Sequence, residues 1–158
     1  MVDMIALIKK VMGNLQIMAN QKHQSVNLHF NCPVILNIDR GRMQEVFENL
    51  LSNAVKYSLH HTGIDIFVHN EAEAFVFEFK DQGLGLNEQD MGKLFVKFAR
   101  LSAVPTNKEP TNGLGLSIVK SLVELHAGKI WATSAGKNKG SSFFVSLAKT
   151  KTSIMNVL

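Results

Sequence analysis

The sequence lacks most of the features that would commit it to a specialised class. A single cysteine, Cys32, among 158 residues excludes an intrachain disulfide and a CxxC metal site, and fits a reduced, cytoplasmic setting. No apolar run approaches the ~18–20 residues of a membrane span. Met1 to Met18 is interrupted by Asp3, Lys9, Lys10 and Asn14, so it reads as neither signal nor anchor. Runs of like charge are also missing. The net charge is +4, but Lys and Arg are scattered from Lys9 to Lys151, which gives no nucleic-acid footprint and suits an anionic ligand such as a nucleotide equally well. What the chain does have is 46% apolar content, enough for one domain with a proper core and too little length for two. The expected organisation is one globular unit over residues 1–150 and a tail at 151–158.

Met4, Ile5, Ile8, Val11, Met12, Leu15 and Met18 recur at helical spacing and predict a helix over 3–21 whose stripe is core. VNLHF and PVILNI, bounded by turn-prone residues, read as a hairpin. Asp39 is a candidate N-cap for a helix from Gly41 to Ser58, closed by HHTG. GIDIFVHN and EAFVFEFKD alternate cleanly about Glu71 and Ala72 and predict a second hairpin. A brief helix follows at about Glu88 to Phe95. Residues 99–112, ARLSAVPTNKEPTN, show no period and hold two of the three prolines; connections of that length in compact domains tend to be lids or disordered. LGLSIVKSLVELHAG is a helix with Leu116, Val119, Val123 and His126 on one side and Gly128 as its stop. Strands at Lys129–Ser134 and Ser141–Ala148, joined through GKNKG, complete the order. The alternation of elements implies one mixed sheet covered on one face by helices.

Two stretches carry chemistry. In ENLLSNAVKYS, Asn49, Asn53 and Lys56 stand at i, i+4 and i+7 on one helical face, away from most of the stripe of Met43, Val46, Phe47, Leu50, Leu51 and Ala54. Asn is a weaker helix former than Glu or Lys by roughly half a kcal/mol, so two mid-helix amides are mildly unfavourable choices; taken alone they also fit a plain solvated face. In EAFVFEFKD, the period of two puts Phe75, Phe77, Phe79 and Asp81 on one face. A carboxylate therefore ends a row of core phenylalanines, and its burial demands a partner, a pKa shift or a ligand donor. Gly83 and Gly85 in DQGLGL permit close backbone approach and positive φ. In TNGLGLSIVK a second glycine pair precedes a helix, where free N–H groups and the dipole suit phosphate; it is neither a Walker motif nor a GxGxxG fingerprint. GKNKGSS by itself reads as a hairpin turn.

Taken together and in this order, the segments resemble the ATP-binding catalytic domain of two-component sensor histidine kinases, within the wider family of DNA gyrase and heat-shock chaperone ATPases. ENLLSNAVKYS resembles the N box, DQGLGL the first glycine box, LFVKFAR the F box, TNGLGLSIVK the second glycine box and KGSSFFVSL the third. The resemblance covers about residues 3–149. It implies a two-layer α/β sandwich, the Bergerat ATP-binding fold: a mixed, mainly antiparallel sheet of five or six strands covered on one face by about three helices. It also implies ATP and Mg²⁺ as cofactors. Asn53 would give its amide oxygen to Mg²⁺, with Asn49 as a second polar contact. Lys56 would reach a phosphate, and Tyr57 would border the nucleoside. Asp81 would accept from the adenine amino group, with Gly83, Gly85, Leu86, Phe98 and Ser141 at the nucleotide site. Gly113, Leu114, Gly115 and Leu116 would cradle phosphates. Arg100, and after it Lys97, are γ-phosphate candidates when the lid closes, Lys56 and Arg100 being the catalytic pair. Two positions depart from the family pattern, Thr111 and Asn138 standing where glycine is usual. Asn tolerates positive φ, while the β-branched Thr111 stiffens the lid.

In the ATPase branch a Glu one turn before the metal-binding Asn activates water; here Asn49 holds that place and cannot act as a general base. Phosphotransfer to another protein is therefore favoured over hydrolysis. None of the chain's six histidines is followed by the acidic residue and proline of a phosphoacceptor site, so the acceptor is expected on a separate dimerising helical hairpin, of the same or a partner kinase, with a response regulator further on. The module itself is expected to be a cytoplasmic monomer without membrane or nucleic-acid contacts, although a longer parent could be membrane-anchored. The alternative is an ATP-binding regulatory or interaction module without transfer, and a nucleic-acid-binding domain ranks behind both.

Overall fold

The computed structural model describes residues 1–97, 99, 101, 104–106 and 115–149. A short strand β1 (Val2–Asp3) leads into helix α1 (Met4–Asn14), and α2 (Gln16–Gln21) follows at once. The Asp3 carboxylate caps α1 by accepting from the N–H groups of Ile5 and Ala6 at 3.0 and 3.1 Å, which satisfies two of the orphan donors of the first turn. The expected single helix over 3–21 is thus two, broken at Leu15, whose φ of −103° and ψ of 2° leave helical geometry. The apolar stripe runs on across the break, because periodicity records which side is buried and not whether the backbone bonds are continuous.

Strand β2 (Ser25–His29) and strand β3 (Ile35–Leu36) do not form the expected hairpin. Strand β2 pairs in parallel with β4 (Gly63–Asn70), Val26 opposite Ile64, while β3 pairs antiparallel with β1. Two strands adjacent in sequence were separated because each had a better edge available elsewhere. β4 offered a free edge whose inward Ile64 and Ile66 match Val26 and Leu28, and the Met4 N–H donates to the Val34 carbonyl at 2.8 Å. The second expected hairpin is present: β4 turns into β5 (Ala74–Asp81), with Ile66 opposite Phe79 and Val68 opposite Phe77. Strand β5 also pairs with β7 (Ser141–Ala148), which pairs with β6 (Lys129–Thr133). The main sheet has five strands in the order β2-β4-β5-β7-β6, with one parallel pair.

Helix α3 (Arg40–Tyr57) lies against β5, flanked by α1 and by α5 (Gly115–Leu125). Asp39 is its N-cap and accepts from the Arg42 N–H at 3.0 Å. Phe47 fits between Phe77 and Phe79 at centroid separations of 5.2 and 5.6 Å, and each of these buried rings is worth roughly 1.5–3 kcal/mol. His126 stitches α5 to the start of α3: its Nδ1 is within 2.8 Å of the Leu122 carbonyl, and its Nε2 accepts from the Asp39 N–H. The short helix α4 (Glu88–Met91) ends earlier than expected, capped by a reciprocal pair, Asn87 with Asp90.

The stop of α5 also differs from expectation. Ala127, not Gly128, takes the left-handed conformation (φ 54°), and the N–H groups of Ala127 and Gly128 donate to the carbonyls of Glu124 and Val123, closing a Schellman motif. Gly128 is needed for space: a Cβ there would stand 2.7 Å from the Ser146 carbonyl oxygen on β7. Among the described residues no helix is long and apolar enough to cross a membrane.

Candidate functional site

The parity argument for Asp81 holds. Phe77, Phe79 and Asp81 are all buried on the helix-facing side of β5, and Asp81 is 6% exposed. Its Oδ1 accepts from the N–H groups of Gly83 and Ser141 at 3.0 and 3.3 Å, and its Oδ2 accepts from the Ser141 hydroxyl at 2.8 Å. Burial pushes the carboxyl above its ordinary range, and the Ser141 hydroxyl and the two N–H groups pull it part of the way back. A carboxylate offers about four acceptor positions; three are used, leaving capacity on Oδ2. Asp81 lines a pocket, together with Tyr57 of α3, Leu116 of α5, and Ser141 and Phe143 of β7.

The turn after Asp81 is fastened on both sides. A Cβ on Gly83 would fall 2.2 Å from the Tyr57 carbonyl oxygen, and the Leu84 N–H donates to that same oxygen at 3.1 Å. Gly85 has φ of 66°, and its absent Cβ would meet the Gly136 carbonyl at 2.1 Å. The close approaches these glycines permit are therefore to the end of α3 and to the β6–β7 connection, which they join into the pocket's walls. In that connection Asn138 does take positive φ, at 60°, so the change from glycine is absorbed there.

The amide face of α3 meets α5 at the other end of the pocket. Asn53 lines the pocket. Asn49 donates its Nδ2 to the Glu45 carbonyl at 2.9 Å, and its Oδ1 would lie 2.9 Å from a Cβ on Gly115. A Cβ on the first residue of α5 would displace the Asn49 amide from this position. The neighbouring carboxylate, Glu48, is turned toward α1: its Oε1 accepts from Asn14 and Gln44 at 3.0 and 2.9 Å. The Asn49 amide thus stands against the N-terminus of α5, whose positive dipole end attracts an anion.

Of the residues expected from sequence, Asn53, Tyr57, Asp81, Gly85, Leu86, Leu116 and Ser141 line one pocket. Asn49, Gly83 and Gly115 stand behind its walls, and Lys56 is half-buried one turn beyond Asn53. Phe98, Arg100, Gly113, Leu114 and Thr111 lie outside the described residues. Three lining residues were not anticipated: Ala54, Leu101 and Phe143. Phe143 was within reach, since alternation from Ser141 places it on the same face of β7. Leu101 was not, because nothing periodic surrounds it.

A mixed five-stranded sheet with α3 and α5 on one face, and a pocket between those helices and the end of β5, defines an α/β sandwich of the histidine kinase ATPase type. The model of the family described as histidine kinase-, DNA gyrase B- and HSP90-like ATPase matches residues 38–151. The chain belongs to that family, and within it corresponds to the catalytic ATPase part of sensor histidine kinases. It is 36% identical over 131 residues to the sensor histidine kinase WalK of Bacillus subtilis (strain 168), covering 80% of this chain and 21% of that protein. It is 30% identical over 148 residues to the heme sensor protein HssS of Staphylococcus saprophyticus, covering 94% and 31%. Among solved structures, the nucleotide-free catalytic domain of histidine kinase ThkA superposes with a TM-score of 0.81 at 23% identity, over 94% of this chain and 96% of that one. That likeness bears on the fold. The chain spans 21% and 31% of the length of the two curated relatives.

Proposed function

We propose that the chain binds Mg-ATP and donates its γ-phosphoryl group to a histidine on a separate helical hairpin, as the catalytic module of a two-component signalling kinase. The observation that carries this reading is Asp81: a buried carboxylate held by Ser141 and Gly83, with acceptor capacity left on Oδ2, in a pocket that Leu86, Leu116 and Phe143 also line. An adenine amino group would satisfy that capacity, and Tyr57, Leu86, Leu116 and Phe143 would cover the ring's faces. Gly113 to Leu116 would cradle phosphates, and Lys56 and Arg100 would place positive charge near the transferred group.

When bound, ATP with its magnesium ion supplies the transferable phosphoryl group and the oxygens that complete the ion's coordination. The residues fit this division of labour. Among the described residues no group of three or more His, Cys, Asp or Glu is placed to hold a metal. Asn53 would contribute one neutral oxygen and leave the ion's charge to the phosphates. Asn49 cannot take a proton from water, and Glu48 is engaged toward α1. Both features disfavour hydrolysis and leave the γ-phosphate for an external acceptor.

Incubation with γ-labelled ATP, alone and with an isolated acceptor hairpin, tests the transfer. Label on the hairpin and none on the chain is the expected outcome; binding without transfer to any cognate hairpin makes the chain a nucleotide-responsive regulatory module instead. Asn53→Ala should weaken ATP roughly tenfold when Mg²⁺ is present and leave Mg-free binding nearly unchanged. Equal weakening in both conditions would remove Asn53 from the metal.

A further inference from the structure

The turn after Asp81 and the β6–β7 connection are joined through one hydroxyl. Ser134 stands directly after β6, and its Oγ accepts from the N–H groups of Leu86 and Gly136 at 3.1 and 3.2 Å. The same hydroxyl donates to the Gly140 carbonyl at 2.7 Å, the Gly136 carbonyl being more distant at 3.3 Å. A serine hydroxyl has one donor and two acceptor positions, so its whole capacity is spent on backbone. Closing the β6–β7 connection explains the bonds to Gly136 and Gly140, which lie two and six residues further on. It does not explain the bond from Leu86, 48 positions away in the sequence.

Both ends of this tie lead to the pocket. Leu86 lines it. Gly140 precedes Ser141, whose hydroxyl and N–H both bond Asp81. The Gly140 N–H also donates to the Gly83 carbonyl at 3.1 Å, and a Cβ on Gly140 would fall 2.3 Å from the Asp81 carbonyl oxygen. Between these, the Asn138 N–H donates to the Leu84 carbonyl at 2.7 Å. The two turns are thus bonded at Gly83, Leu84 and Leu86, and the bond at Leu86 is made by a side chain. Ser134 itself does not line the pocket.

We propose that Ser134 is a positioning residue for the nucleotide pocket, whose hydroxyl holds the Leu86 wall in place against the Gly140–Ser141 backbone that carries the partner of Asp81. The proposal rests on the nucleotide reading above. It adds that affinity for the nucleoside portion depends on a hydroxyl outside the pocket. A wall and a partner held from one atom keep their spacing before the ligand arrives, and loosening them moves that ordering cost into the binding step. Because Asp81, Ser141 and Leu86 serve the base and not the phosphates in that reading, losing the tie should weaken adenosine, ADP and ATP by the same factor.

Calorimetric titration of Mg-ATP, Mg-ADP and adenosine into the unsubstituted chain, Ser134→Ala, Ser134→Thr, Ser141→Ala and the Ser134→Ala/Ser141→Ala double variant tests it, with the ATP series repeated across pH. Ser134→Ala should raise all three dissociation constants about fivefold, the size of one lost hydrogen bond, and Ser134→Thr, which keeps the hydroxyl, should restore them to within about twofold. In Ser134→Ala the acid edge of ATP binding should move to higher pH, because the Ser141 hydroxyl that favours ionised Asp81 is less firmly placed. A purely structural role would lower the melting temperature and leave that edge where it is. The double variant should lose less than the product of the two single losses, since both substitutions act on Asp81. Ser134→Cys, which has only a weak S–H donor, makes the same comparison if the alanine variant does not fold. Unchanged affinities, a loss confined to ATP, no rescue by threonine, an unmoved acid edge or fully multiplied losses in the double variant would each overturn the proposal. If the unsubstituted chain binds none of the three ligands, the nucleotide reading falls and takes this inference with it.

Discussion

Strand β5 carries two carboxylates three residues apart, Glu78 and Asp81, and they were put to different uses by the face on which they stand. Both are hydrogen-bonded to a serine of β7 and both sit opposite that strand in register. Glu78 points to the uncovered face of the sheet, where its Oε2 pairs with His69 at 2.8 Å and its Oε1 accepts from Ser142 at 2.9 Å. Asp81 points under the helices, where burial raises its pKa and where it lines the pocket. Burial separates the two: Asp81 lines the pocket with a raised pKa, whereas Glu78 ties His69 to Ser142 on the opposite face.

The largest expected difference between the two is in ligand affinity. Asp81→Ala should weaken ATP by about 10–100-fold, since a hydrogen bond to a charged group is worth about 1.5–3 kcal/mol. Glu78→Ala should leave the dissociation constant within about twofold. Comparable losses in both titrations would mean that β5 acts as a scaffold and that Asp81 has no special role.

Next in size is the effect of Ser141→Ala against Ser142→Ala. Removing the Ser141 hydroxyl deletes an interaction that lowers the Asp81 pKa, so the acid edge of ATP binding should move to higher pH and affinity should fall roughly fivefold. Ser142→Ala should move neither. A pH series of titrations reads both quantities.

Asp81→Asn separates stability from function. The folded carboxyl holds its proton to higher pH than the unfolded one, so its contribution to stability is full below the unfolded carboxylate range and is lost as pH rises through the folded value. The amide does not ionise. The variant should melt higher than the parent at pH 7, with the difference shrinking as pH falls through the carboxylate range, while ATP binding is lost. A difference that stays constant across acid and neutral melts would remove burial of the charge as its cause.

The smallest effect belongs to the outer pair. His69→Ala should cost about 0–1 kcal/mol, because the His69 side chain is 42% exposed and exposed pairs are weak. A melting shift larger than that of Glu78→Ala would place His69 in packing against Phe67, its stacked neighbour, and not in the ion pair.

Much of this arrangement was legible in the sequence, for reasons visible at particular residues. Strand parity found the buried Asp81 and helical spacing found the Asn49/Asn53/Lys56 face, because both periods are fixed by local backbone geometry. The β4–β5 and β6–β7 hairpins join neighbours through short connections, so local pattern was sufficient. The β2–β3 hairpin failed on the same logic. Two extended runs close in sequence look like partners, yet β2 satisfied the free edge of β4 and β3 that of β1. Lys22 gave no signal either, since a lysine is expected in water until a set of helix-end carbonyls, here those of Val55 and Lys56, is brought to its ammonium.

The sequence by itself determined which residues lie on each face and which segments carry amides, carboxylate and glycines, since those follow from local geometry and side-chain chemistry. Tertiary structure alone decided how the pieces touch. It set Gly83 against Tyr57, Asn49 against Gly115 and Ser141 against Asp81, and it fastened Leu86 to Ser134. Such contacts join residues up to 66 positions apart, the separation of Asn49 and Gly115. No periodicity spans that distance. They exist because covering one sheet face with α3 and α5 is the arrangement that buries the phenylalanine row, and the pocket is what that packing leaves open.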